Sequence, residues 1–205
     1  MTMTVTLKTL STLVAIALVA GCASKVDAPT QYDLGLLPAT AANTATASTL
    51  PAISLADVNA PAWLDNNMMY FRLAYANQQQ PRPYANSRWT MPPAQLFQQR
   101  LKTRMAQAGG TVLAMSDAAL NVPLLRIDLD DFTQTFDTPA HSLATLQIRA
   151  SLFNGRVLLA QKNFSRQAAT PSADAAGAAS AFVAANDGVI DDLMRWLATV
   201  APKKQ

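Results

Sequence analysis

Alternating apolar and polar side chains predict a group of long strands in the second half of the chain. Residues 123–132 alternate between aliphatic and charged side chains, which is typical of a strand with one buried and one solvated face. Residues 142–153 alternate in the same way, and Asn154-Gly155 then provides the strongest short signal for a hairpin turn. Residues 156–165 are therefore predicted to return as the partner strand.

The first half of the chain predicts shorter strands with less regular patterns. These lie at residues 31–37, 50–58, 68–74, 84–90 and 111–115. A turn signal at residues 65–67 predicts that residues 68–74 form a hairpin with the extended segment before it. Two further stretches, 39–49 and 77–83, are predicted to be loops, the second because it is polar and contains two prolines.

Apolar residues at helical spacing predict two main helices. The first begins at Pro92-Pro93, where a missing amide hydrogen costs nothing, and ends at Gly109-Gly110. The second begins after Thr170, which is predicted to be its N-cap, with Asp174 near the positive end of the helix dipole. This order of elements predicts an α+β fold, in which a mostly antiparallel sheet is covered by two main helices.

The N-terminus has the layout of a signal peptide. Residues 1–21 have Lys8 and no acidic residue in their first part. They continue from Leu10 to Ala20 with a run that is apolar apart from Ser11 and Thr12, and they end with small residues. The run is far shorter than the ~20 residues that a helix needs to span a bilayer. We therefore predict that this segment is removed and does not remain as a membrane-spanning helix.

Cys22 is predicted to carry a lipid. The residues before it, Leu18-Val19-Ala20-Gly21, resemble the bacterial lipobox, in which small residues let a signal peptidase reach the bond between Gly21 and Cys22. The thiol accepts a diacylglyceryl group, and the new amino group can then take an acyl chain such as palmitate. This explains the single cysteine of a predicted exported protein. The alternative is an ordinary signal peptide followed by a chance cysteine.

Ala23 and Ser24 follow the lipidated cysteine and predict its destination. They are not the aspartate-type retention signal of enteric lipoproteins, which implies the outer membrane, facing the periplasm. Two or three acyl chains hold a protein firmly, because each buried methylene contributes about 0.8 kcal/mol. The predicted organisation is a signal peptide (1–21), a lipidated N-terminus and tether (22–30), one domain (31–202) and a tail (203–205).

The composition indicates a globular domain without an evident catalytic centre. Half of the 205 residues are hydrophobic, and 16 Lys and Arg against 13 acidic residues give a net charge of +3. The basic residues are scattered, which disfavours nucleic-acid binding. The single histidine, His141, lies in a predicted loop, and the sequence contains no serine elbow, phosphate-binding glycine loop or zinc spacing. We predict no enzyme activity, no cofactor and no metal site.

One acidic cluster, Asp128, Asp130 and Asp131, is a possible exception. Alternation places Asp128 and Asp130 on the same strand face, where they could hold Ca²⁺ together with other oxygens. The interpretation we prefer is a solvated strand face on which Arg126 offsets their charge.

The segment 63–93 is rich in tyrosine, tryptophan and arginine, the residue types that are enriched at protein interfaces. The candidate residues for contact with a partner are Arg72, Tyr75, Arg82, Tyr84, Arg88 and Trp89. The alternative is core packing, with arginine stems stacked on aromatic rings, and we prefer it for Phe71 and Trp89.

The same segment resembles the ABC-type transport auxiliary lipoprotein family, which includes the paraquat-inducible protein C lipoproteins. The similar residues are Tyr32-Asp33-Leu34, 55–61 (LADVNAP), Trp63-Leu64, 69–73 (MYFRL), Tyr84 with Arg88-Trp89, and Pro92-Pro93. The second half is similar in its layout, so the resemblance covers nearly the whole mature chain. The loop at 39–49 departs from compact members of the family.

The resemblance implies a non-enzymatic component of an MCE-type system that moves lipids, or confers solvent resistance, between the inner and outer membranes. The implied partners are an MCE-domain protein and an ABC permease and ATPase, and some members of the family assemble into homo-oligomeric rings. Two alternatives remain from the residues: a structural or assembly outer-membrane lipoprotein unrelated to MCE transport, and a hydrolase that uses the acidic cluster. The apolar stripes could also line a lipid groove, although core packing is the preferred interpretation.

Overall fold

The computed structural model describes residues 28–37, 50–117 and 122–200, which form one eight-stranded sheet and two helices. The strands are β1 (Thr30–Tyr32), β2 (Ile53–Leu55), β3 (Met68–Leu73), β4 (Asn77–Trp89), β5 (Val112–Ala114), β6 (Leu124–Thr138), β7 (His141–Asn154) and β8 (Val157–Ala169). The helices are α1 (Pro93–Gln107) and α2 (Ala175–Val200), and a short 3₁₀ turn spans Met115–Asp117. The predicted α+β fold is confirmed. Within the described ranges, neither helix is long and apolar enough to cross a membrane.

Strand β6 is the centre of the sheet. On one side it pairs with β7, which pairs in turn with β8, and both pairings are antiparallel. On its other side β6 pairs in parallel with β2 near its start and with β3 near its end. Beyond these, β4 is antiparallel to β3, while β1 is parallel to β4 and β5 is parallel to β2. The longest pairings, β6 with β7 and β7 with β8, are therefore antiparallel, and the parallel pairings are all short.

A β-bulge at Asp130 keeps the apolar side chains of β6 on one face. Leu129 is opposite Ile148 and Phe132 is opposite Leu146, although three positions along the strand separate Leu129 from Phe132. Without the extra residue, a period of two would turn Phe132 toward the other face. Both side chains are fully buried, and the ring of Phe132 stacks on that of Phe182 in α2, with ring centroids 4.0 Å apart.

Strand β4 corrects the prediction that residues 77–83 form a loop. These residues belong to the strand, and their partner is β3, so the segment before residues 65–67 is not the hairpin partner of β3. Proline is tolerated on a strand whose amide side is not paired. Strand β1 covers only the last part of β4, from Ser87 to Trp89, and leaves the proline-containing part at a free edge.

Asp174, and not Thr170, caps the second helix. Its Oδ1 accepts a hydrogen bond of 2.7 Å from the amide of Gly177, and the helix begins at Ala175. The Thr170 hydroxyl instead lies 2.7 Å from the Ser142 hydroxyl, at the end of β8. Gly177 is required at this start, because an added Cβ would lie 2.1 Å from the carbonyl oxygen of Ser172.

An ion pair between a buried arginine and a partly buried aspartate connects the two helices to the N-terminal segment. Arg100 on α1 is 6% exposed, and its Nε and Nη2 each donate to a carboxylate oxygen of Asp187 on α2 at 2.8 Å. Its Nη1 donates to the carbonyl oxygen of Leu34, just after β1, at 2.6 Å. One guanidinium group therefore fixes three separate parts of the chain.

Replacing Arg100 by methionine should lower the free energy of unfolding by about 2–3 kcal/mol, because it leaves the Asp187 carboxylate without its partner. Adding Asp187→Leu should recover part of this loss, since the uncompensated charge is then removed. Urea denaturation measures both. The control is Arg149→Met, which breaks the exposed contacts of Arg149 with Asp128 and Asp130 and should cost less than about 1 kcal/mol. Equal losses in Arg100→Met and Arg149→Met would contradict the assignment.

Candidate partner interface

The residues of the predicted lipidation site, Gly21 and Cys22, and of the predicted sorting signal, Ala23 and Ser24, lie outside the described residues. The structure does show the direction from which the chain reaches the sheet. Strand β1 is parallel to β4, β4 is antiparallel to β3, and β3 is parallel to β6. The chain in β1 therefore runs away from the proximal end of the sheet, which is defined by the turns at 73–77 and 138–141, and β1 itself lies beside the last residues of β4. The opposite, distal end carries the turn between β7 and β8 at 154–157.

Trp63, Tyr70 and Arg72 form a cluster on the sheet face opposite the helices. The rings of Trp63 and Tyr70 meet edge to face with centroids 5.3 Å apart, and the Arg72 guanidinium lies 5.4 Å from the Trp63 ring centroid. Arg72 also donates to the carbonyl oxygen of Gln78 at 3.1 Å. These contacts hold the Arg72 side chain along the surface of the β3–β4 hairpin.

Tyr84 lies on the helix side and begins a chain of hydrogen bonds. Its hydroxyl donates to Oε1 of the buried Gln134 at 2.6 Å, and the Gln134 amide donates to the Ser142 hydroxyl at 2.8 Å. Burial, assisted by the negative charge of Asp174, raises the pKa of Tyr84 to about 12. The hydroxyl of Tyr84 thus holds the hairpin to β6, and it is not free for a partner.

Trp89 lies in the core, and Arg88 is half-buried against its own strand. Trp89 is 1% exposed and packs edge to face against Phe132 and Phe182, with centroids 5.4 Å and 5.6 Å away. Arg88 turns back onto its own strand, where it donates to the carbonyl oxygens of Tyr84 and Ser87. Burial of Trp89 agrees with the core-packing alternative and removes it from the predicted interface.

Tyr75 and Arg82 remain as accessible candidates at the proximal end. Tyr75 is 49% exposed in the turn between β3 and β4, and Arg82 donates to the side-chain oxygen of Gln80 at 2.9 Å. Arg82 is opposite Phe71 in the ladder, so it points to the face away from Arg72. The candidates therefore share an end of the sheet without forming one continuous patch.

The acidic cluster is divided by the bulge. Asp128 and Asp130 both approach Arg149, at 3.4 and 3.5 Å, while Asp131 is partly buried and burial raises the pKa of its carboxyl group. The ion-pair partner of Asp128 and Asp130 is Arg149, while the Arg126 guanidinium lies 5.1 Å from the ring centroid of Phe153. In the part of the chain that is described, no group of His, Cys, Asp or Glu side chains is arranged to hold a metal ion.

His141 lies at the proximal turn and pairs with Asp137. Its Nδ1 is 2.7 Å from a carboxylate oxygen of Asp137, and both side chains are more than half exposed. The hydrogen bond from His141 holds the pKa of Asp137 below its usual value. This exposed pair is best explained as a link across the turn.

Sequence reasoning missed Arg100, although a signal was present. Arg100 follows Phe97 by one turn and precedes Leu101, so it interrupts the apolar side of α1. An arginine at the edge of an apolar stripe predicts either a snorkelling side chain or a buried ion pair. Its partner could not be identified, because Asp187 lies 87 positions further along the chain.

Comparison with protein families identifies one match. The model of a family described as an ABC-type transport auxiliary lipoprotein component matches residues 32–195. That range includes every strand after β1 and nearly all of α2. No curated protein matches the chain.

Two solved structures have a similar fold. A Xanthomonas campestris protein of the DUF330 family is 20% identical, has a TM-score of 0.64, and the match covers 83% of this chain and 92% of that protein. A second, uncharacterized protein is 13% identical, with a TM-score of 0.65 and coverage of 83% of this chain and 99% of the other. At these identities the similarity concerns the fold alone.

Absorbance titration of the folded protein should show a tyrosine that ionises near pH 12, and Tyr84→Phe should remove this step. An unfolded tyrosine ionises near pH 10, so the unfolded state loses its proton first and stability falls as the pH rises from 10 to 12. Tyr75→Phe is the control, because this exposed tyrosine should leave the step near pH 12 in place. An ionisation step near pH 12 that persists in Tyr84→Phe would contradict the assignment of this pKa to Tyr84.

Proposed function

Because the chain belongs to the ABC-type transport auxiliary lipoprotein family, we propose that it is the outer-membrane lipoprotein of an MCE-type transport system, lipidated at Cys22 and facing the periplasm. The family match over residues 32–195 is the observation that carries the proposal, because it covers the described domain except for a few residues at each end. A transport auxiliary component acts by binding its transporter. The proposed role therefore requires that this chain bind its transporter, and it does not require a catalysed reaction.

The lipobox supports the proposed anchor. Leu18-Val19-Ala20-Gly21 precedes Cys22 at the end of the apolar run, and Ala23 and Ser24 follow it. Residues 22–27 span at most about 20 Å when extended. A tether of this length holds the proximal end of the sheet close to the membrane, since the chain enters β1 from that side.

In this orientation the two ends of the sheet would face different surroundings. Tyr75 and Arg82 at the proximal end would face the lipid headgroups, where tyrosine and arginine combine an apolar body with a polar tip. The distal end would point across the periplasm, about 45 Å away over the 14 residues of β7. We therefore move the proposed contact with the MCE-domain protein from the predicted interface residues to the distal end.

The wider assembly follows from the same proposal. The MCE-domain protein would connect this lipoprotein to an ABC permease and ATPase in the inner membrane, and several copies of the lipoprotein would surround the end of the MCE tunnel as a homo-oligomeric ring. Lipids or solvent-like molecules are the class of cargo.

Cys22→Ser should release the protein from the membrane fraction, because the acceptor thiol is lost. Mass spectrometry of the mature N-terminus should show acyl chains on the unchanged protein and none on the variant. Ser24→Ala is the control and should stay acylated and membrane-bound. Circular dichroism should be the same for all three, since the described domain starts after the anchor. A Cys22→Ser protein that remains acylated would contradict the proposed lipid anchor at Cys22.

Affinity purification of the full chain from crosslinked membranes should recover an MCE-domain protein together with its permease and ATPase. The Cys22→Ser protein, which is displaced from the membrane, should recover them with lower yield because its orientation is lost. Recovery of envelope assembly machinery, with no MCE-domain protein, would favour the alternative of a structural lipoprotein and contradict the proposed transport role.

A further inference from the structure

Strand β8 is a long strand at the edge of the sheet. It runs for 13 residues, and among the described residues it pairs with β7 alone. Alternate residues of such a strand point their backbone N–H and C=O groups outward without a ladder partner. This edge can therefore accept another extended segment. At the opposite edge β1 has only three residues, and the part of β4 that β1 leaves uncovered contains Pro81 and Pro83, which lack a backbone donor.

The first residues of β8 are apolar and exposed. Val157, Leu158 and Leu159 are 64%, 49% and 39% exposed, and they form the start of β8 at the distal end. Three consecutive exposed aliphatic residues on an unpaired edge are a recognised risk for association with other chains. Their position at the distal end places them where a partner across the periplasm would arrive.

A cleft runs beside β8, between the strand and the last turns of α2. It has a volume of about 480 Å³ and contains Phe164 and Trp196, whose rings meet edge to face at 5.8 Å. The Lys162 ammonium lies 5.3 Å from the Phe164 ring centroid, and the ion-paired side chains of Arg195 and Asp192 also line the cleft. Side chains of an added strand would have room here, beside the two aromatic rings and the ammonium of Lys162.

The charge of the edge indicates which kind of strand it accepts. Residues 157–169 contain Lys162 and Arg166 and no acidic residue, and Arg156 precedes them. Arg166 is paired with Asp192, while Lys162 and Arg156 have no acidic partner within the described residues. Two copies of β8 side by side would bring four basic residues together, which disfavours self-pairing.

We propose that the free edge of β8 binds an extended acidic segment of a partner protein by strand addition. The backbone of the segment continues the sheet, its apolar side chains cover Val157 to Leu159, and its carboxylates meet Lys162 and Arg156. Strand addition obtains affinity from backbone hydrogen bonds and specificity from alternate side chains, so charge selects the partner. Only the orientation toward the periplasm rests on the proposed anchor at Cys22; the edge itself does not.

The test uses the full chain and a synthetic ten-residue peptide of alternating valine and aspartate. Fluorescence anisotropy measures its binding against two control peptides: one with lysine in place of aspartate, and one with the same residues but N-methylated on alternate amides. The acidic peptide should bind at least about tenfold more tightly than either control, because one control loses the charge match and the other loses the backbone donors. Hydrogen exchange should show new protection confined to β8.

Variants of the protein locate the site. Lys162→Glu should weaken binding of the acidic peptide by about tenfold, since the charge at the edge is reversed. Lys102→Glu changes the net charge equally but lies on α1, and its binding should remain within about twofold of the unchanged protein. Because Lys162 is exposed and lacks an ion pair in the described structure, the variant is expected to fold normally.

Three results would overturn the proposal. The first is equal binding of the acidic and lysine peptides, or protection outside β8. The second is a concentration-dependent dimer that Val157→Asp dissolves, which would assign the edge to a second copy. The third is binding to phosphatidylglycerol vesicles, lost in Val157→Asp, with no binding of the peptide, which would assign the surface to lipid. None of these results depends on whether an MCE-domain protein is recovered from membranes.

Discussion

The ion pair between Arg100 and Asp187 is the contact that joins both helices to the N-terminal segment, and Arg104 with Asp191 forms a second, more exposed ion pair between the same helices. A guanidinium group that is 6% exposed is stable only when its donors are satisfied, and here α1, α2 and the carbonyl oxygen of Leu34 are all needed. Apolar packing alone would permit small shifts of one helix along the other. The paired charges define one register between them and fix the N-terminal segment to the same point.

The long antiparallel strands could be predicted from local signals, and the parallel contacts could not. Alternation and the Asn154-Gly155 turn predicted β6, β7 and β8 within a few residues. The extension of β6 to Thr138 was missed, because Thr133, Gln134 and Thr135 do not alternate in polarity. Gln134 is buried, and its side chain is hydrogen-bonded to Tyr84, 50 positions earlier, and to Ser142 on the next strand. Such partners are invisible to a local pattern, as are the parallel pairings of β2 and β3 with β6.

The candidate interface was predicted by residue type, and residue type does not tell which face of a strand is covered. Trp89 and Tyr75 have similar preferences for interfaces, yet one is in the core and the other in an exposed turn. The sequence Val157-Leu158-Leu159 predicts burial, and only the order of the strands reveals that β8 has a free edge. The order of the strands therefore identifies the free edge at β8, which the residue types of segment 63–93 could not indicate.

Strand β1 also determines how the domain resists mechanical load. A pull on the chain before Ala28 acts along the axis of β1, so the bonds between β1 and β4 are loaded in shear, all at once. The hydrogen bond from Arg100 to the Leu34 carbonyl oxygen follows β1 in the chain and transmits the remaining force to the two helices. Tension on the N-terminal segment is therefore opposed by these bonds together, although the strand that carries it is only three residues long.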